Sequence, residues 1–129
     1  MVAIDPESLP YPPAKAVIRR GEWVRLEPEI IDGASGQCLD LSLSDSEGVL
    51  YFHHEGVGFY SDSGELHEWP FETIDAYRVK RGWIRPGSMR VVHLIAGGKR
   101  FRFRIGHMLA ANADHILRAV QAEGEPKEP

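Results

Sequence analysis

Cysteine is nearly missing from the 129-residue chain: Cys38 stands alone. That excludes an internal disulfide and every metal site built on a cysteine pair. Its expected place is that of a small strand hydrophobe. No apolar run approaches the ~20 residues that a membrane-spanning helix needs. The opening Met1-Val2-Ala3-Ile4-Asp5-Pro6-Glu7 has neither the basic start nor the apolar centre of a secretory signal, so a cytoplasmic address is expected. There is no internal repeat. A phosphate loop is lacking too, because Gly97-Gly98-Lys99 leads into a strand pattern and not a helix. Acidic residues are missing from positions 76–107, which carry 9 basic side chains, whereas residues 1–75 carry 15 acidic and 4 basic ones. A formal net charge of -4 therefore conceals a separation of sign along the chain.

What is present is alternation. In the stretch Arg90 to Ile105, Val92, Leu94, Phe101 and Phe103 alternate with His93, Arg100, Arg102 and Arg104 around Gly97-Gly98. Two glycines between alternating runs signal a tight hairpin whose central residues need positive φ. If Ala96 pairs with Lys99, Leu94 falls opposite Phe101 and Val92 opposite Phe103, and all four large apolar side chains share the core face. The other face then carries Val91, His93 and Ile95 beside Arg104, Arg102 and Arg100. A strand from Ile74 to Arg81 extends the pattern, with Tyr77 and Val79 inward and Arg78 and Lys80 outward.

Further elements follow from the same rules. Asp5 to Ala14 contains Pro6, Pro10, Pro12 and Pro13, so residues 1–20 read as an extended arm, either mobile or draped over the body. Glu22 to Glu27 alternates as a first strand. Ile30 to Gly36 reads as a turn through Asp32-Gly33, with a strand from Cys38 to Leu43 behind it. Gly48 to His53 and Val57 to Tyr60 form a hairpin around His54-Glu55-Gly56, with the glycine at the tight position of a three-to-five-residue loop. Leu66 to Phe71 is a short strand that Pro70 confines to an edge or a strand end. Gly82 to Ser88 is an exposed loop holding Trp83 and Arg85. Beyond Gly106, Leu109, Ala113, Ile116, Leu117 and Val120 fall on one stripe of a helix that ends near Glu123. The reading is a mainly β (α+β) fold of about seven strands, a bent antiparallel sheet or barrel capped by one C-terminal helix. Residues 21–123 form the domain, and 124–129 a disordered tail.

Four stretches carry a resemblance: Gly48-Val49-Leu50-Tyr51-Phe52, Val57-Gly58-Phe59-Tyr60-Ser61, Trp69-Pro70-Phe71-Glu72-Thr73-Ile74 and Gly98-Lys99-Arg100-Phe101-Arg102-Phe103. Together they resemble the bacterial PH-like and GRAM-like families over roughly Gly21 to Glu123. The resemblance implies a seven-stranded, helix-capped domain that binds lipid headgroups, peptides or other domains without catalysis. The chain departs from the lipid-binding members in its first hairpin, which is acidic at Glu22, Glu27, Glu29, Asp32, Asp40, Asp45 and Glu47.

No residue pattern assembles an enzyme. His53 and His54 point to opposite sides of a strand. Glu65, His67 and Trp69 share a strand face but have no nucleophile beside them. His107 and His115 lie two helical turns apart. No catalytic residue, metal site or cofactor is expected. Nucleic acid is disfavoured, because Phe101 and Phe103 face the core and leave no stacking platform beside the arginines, and the sequence pI is 5.8. The expected function is a non-enzymatic interaction module. Its basic outer face, Arg78, Lys80, Val91, His93, Ile95, Arg100, Arg102 and Arg104, binds a protein partner or a second copy. The alternative is peripheral attachment to anionic lipid through the loop residues Arg81, Trp83 and Arg85.

Overall fold

The computed structural model describes residues 4–13, 30–39, 47–81 and 89–124. Its closing hairpin joins strands that we label β6 (Met89–Ala96) and β7 (Lys99–Gly106), with Gly97 at φ 59° and Gly98 at φ 78°. The register is the one that the glycine pair requires: Ala96 faces Lys99, Leu94 faces Phe101 and Val92 faces Phe103. Val92, Leu94 and Phe103 are fully buried, and Phe101 packs half-buried against them.

Ahead of this hairpin come β1 (Ile30–Cys38), β2 (Glu47–His53), β3 (Gly56–Ser61), β4 (Leu66–Pro70) and β5 (Ile74–Arg81). A helix, α1 (His107–Gly124), follows it and ends one residue past the expected end. All seven described strands belong to one antiparallel sheet in the order β4-β3-β2-β1-β7-β6-β5, so among the described residues β4 and β5 are its two edges. Those edges are consecutive in sequence, joined only by the 3-10 turn Phe71–Thr73. The connection from Pro70 to Ile74 reaches ~14 Å at full extension. The edges of a flat sheet of seven strands would stand about 29 Å apart. The sheet therefore curls strongly without closing, and β4 brings Trp69 against Phe101 and Phe103 of β7, with ring centroids 4.9 and 5.5 Å away. Helix α1 covers the concave core through Leu109, Ala110, Ala113, Ile116 and Leu117.

Three expectations are corrected. The segment Ile30 to Gly36 is not a turn but most of β1, the strand that joins β2 to β7. Its glycine signal has another cause, since a Cβ on Gly36 would stand 2.7 Å from Ile105 Cγ2. Asp32, 1% exposed, serves no turn; its carboxylate accepts from Asn112 Nδ2 of α1 at 2.7 Å. Cys38 consequently ends a strand instead of beginning one, and it is buried in the core; Leu41 and Leu43 lie outside the described residues. In the β2–β3 hairpin, His53 pairs with Gly56, so the loop is His54-Glu55 alone. Gly56 is needed because its Cβ would meet the Trp69 carbonyl oxygen at 2.4 Å, not because of a positive φ. The strand expected at Glu22 to Glu27 lies outside the described residues.

Within the described part of the proline-rich arm, a 3-10 turn, Pro6–Ser8, is capped by Asp5, whose Oδ1 accepts from Glu7 N–H at 2.9 Å. Ile4 and Leu9 on either side of it are buried in the core cluster. Asn112 holds the chain just beyond: Tyr11 N–H donates to Asn112 Oδ1 at 3.0 Å, and Asn112 Nδ2 donates to Tyr11 O at 3.2 Å. One buried amide thus ties arm, helix and β1 together, which answers the burial cost of its own polar atoms.

Candidate partner-binding face

Alternation along β5, β6 and β7 sends one set of side chains to the helix and the other to the opposite side of the sheet. The cross-strand register sorts that outer set into three rows: Ala76, Ile95 and Arg100; then Arg78, His93 and Arg102; then Lys80, Val91 and Arg104. Gln37 of β1 continues the third row beside Arg104. Adjacent strands lie about 4.8 Å apart and successive rows about 7 Å. The face is therefore two cationic rails, on β5 and β7, roughly 10 Å apart with Val91, His93 and Ile95 between them.

All eight residues expected on this face are brought together there. Arg78, Lys80, Arg100 and Arg104 are exposed, Ile95 is 38% exposed, and Val91, His93 and Arg102 are half-buried. Among the described residues, Arg78, Lys80, Arg100 and Arg104 form no ion pair with a described carboxylate. Like charges spaced this closely repel one another. Of the loop expected to meet a membrane, Arg81 pairs with Arg90 at the end of β5, whereas Trp83 and Arg85 lie outside the described residues.

The opposite end of the sheet carries acid and imidazole. Tyr51, 0% exposed although it faces away from the helix, lays its ring across Gly58, where a Cβ would stand 2.1 Å from Tyr51 Cζ. Its hydroxyl donates to Glu68 Oε2 at 3.0 Å. His53 Nδ1 accepts from Glu55 N–H at 3.1 Å, so in the neutral ring the proton sits on Nε2, which faces the same Glu68 oxygen at 3.7 Å. Sequence reasoning missed this cluster. The one available signal was Gly58 in an otherwise aromatic strand, which marks a close approach.

Glu65, His67 and Trp69 do share a face. His67 Nε2 is 3.4 Å from Glu65 Oε2, and the imidazole stacks on Trp69 at 6.3 Å. The nearby Ser61 Oγ is fully buried in its turn, hydrogen-bonded to Ser63 Oγ at 2.8 Å and accepting from Glu65 N–H at 3.0 Å, so it is committed to holding the backbone. Among the described residues no three His, Cys, Asp or Glu side chains converge as a metal set. No helix among them is long and apolar enough to cross a membrane.

What fold and face define is a class of architecture, a helix-capped antiparallel sheet with a segregated basic surface. No protein-family model matches the chain, and no curated protein matches it either.

Proposed function

We propose that the chain is a non-catalytic interaction module of the PH-like or GRAM-like kind, working in the cytoplasm, and that it holds an acidic segment of a protein partner on the outer face of β5–β7. The observation that carries this reading is the exposed cations Arg78 and Lys80 on one side of β6 and Arg100 and Arg104 on the other, with Val91 and Ile95 between the two rails. Exposed apolar surface ringed by cations suits a partner that supplies both carboxylates and apolar contact. A phosphate surface alone would use only the charges.

Titration of fluorescent poly-L-glutamate tests the reading. Binding that weakens with added salt and is lost in Arg100→Glu/Arg104→Glu supports it, since complementary charge is then the cause. Equal binding by the charge-reversed variant contradicts it. So does an absence of binding to poly-L-glutamate combined with pelleting on phosphatidylglycerol vesicles, which would favour the membrane alternative at Arg81, Trp83 and Arg85.

A further inference from the structure

Resting on that reading, the geometry points to the form of the partner: we infer that the acidic segment docks as an amphipathic α-helix lying along β6, its apolar stripe on Ile95 and Val91 and its carboxylates on both flanks. The rails set this. Arg78 and Lys80 on one side and Arg100 and Arg104 on the other are separated by two strand spacings, roughly 10 Å, which matches the width of a helix with its side chains. From the Ile95 row to the Val91 row the face runs about 14 Å, or between two and three helical turns.

An extended peptide fits less well in either of its modes. Laid flat on the sheet face, it would set its backbone N–H and C=O groups against side chains, without a ladder to pair them. Added as a strand at the β5 edge, it would reach Arg78 and Lys80 but stop two strands short of Arg100 and Arg104. A helix satisfies its own backbone and meets both rails at once. The apolar middle strand then explains why the cations are split into two rows and not gathered into one patch.

The probe is a two-heptad peptide with Leu at a and d, Glu at e and g, and a hydrocarbon staple joining b to f, compared with a peptide of the same charge interrupted by proline. If the inference holds, the stapled helix binds at least about tenfold tighter than the interrupted peptide, and both Ile95→Asp and Arg100→Glu/Arg104→Glu remove about tenfold or more. Ile95→Ser replaces Ile95→Asp should the latter unfold. Equal binding of the two peptides, still lost on charge reversal, overturns the helical mode and leaves the acidic-partner reading standing. Failure of both peptides to bind, or binding insensitive to these substitutions, overturns both.

Discussion

The rings of Trp69 and Phe101 lie 4.9 Å apart, centroid to centroid, although their strands stand four places apart in the sheet. On a flat sheet four strand spacings amount to about 19 Å. The contact is therefore made by curvature, and alternation along β7 puts its phenylalanines on the inner side of that curve and its guanidinium groups on the outer side.

Trp69→Ala removes the ring that spans this curl. Because Trp69 is half-buried, the expected loss is about 2–3 kcal/mol, against about 3–5 kcal/mol for Phe103→Ala at full burial. Urea midpoints measure both. A loss under about 1 kcal/mol for Trp69→Ala would mean that the cross-sheet aromatic contact does not hold the curl.

Gly58→Ala sets a methyl group against the Tyr51 ring and should destabilise the domain by about 2 kcal/mol or more. Combined with Tyr51→Ala, much of that cost should disappear, giving a coupling of at least about 1 kcal/mol in a double-mutant cycle. Additive losses would contradict the ring-over-glycine arrangement.

Asn112→Ala takes away the amide shared by Tyr11 and Asp32, with an expected cost of about 2–4 kcal/mol for the buried groups left behind. The readout specific to the arm is hydrogen exchange at residues 4–13, which should accelerate more than exchange in β6 and β7. A uniform change across the chain would contradict the role of Asn112 as the arm's anchor.

How much of this was legible in the sequence depends on whether the cause was local. The β6–β7 register followed from Gly97-Gly98, because a two-residue turn with positive φ admits one pairing, and with it came the β6 and β7 part of the basic face, while alternation along β5 added Arg78 and Lys80. In β1 the same residue type misled. Gly33 and Gly36 suggested a turn, but Gly36 is required by the close approach of Ile105, which lies far away in sequence. Asp32 likewise finds its partner on a helix 80 positions later, and no local pattern announces that. The prolines left the arm either mobile or draped over the body, and the burial of Ile4 and Leu9 in the core cluster shows the described part draped, which no local pattern decides.

Burial pushes the Tyr77 phenol above the ordinary tyrosine value of 10.0, and its hydroxyl lies 3.5 Å from the Asp114 carbonyl oxygen that accepts from it. The folded state thus holds this proton more tightly than the unfolded chain does. Its contribution to stability is fully present below pH 10.0 and is lost as pH rises from there through the folded value. Tyr77→Phe should flatten the decline of stability in that alkaline window. An unchanged slope would show that Tyr77 is not the responsible group.

The most direct measurement is amide chemical-shift mapping of the ¹⁵N-labelled chain titrated with poly-L-glutamate. The largest shifts are expected on Arg78, Lys80, Val91, His93, Ile95, Arg100, Arg102 and Arg104, and they should vanish in Arg100→Glu/Arg104→Glu. Shifts gathered on residues 82–88 or on β4, with the three cross-strand rows unmoved, would contradict the proposed binding face.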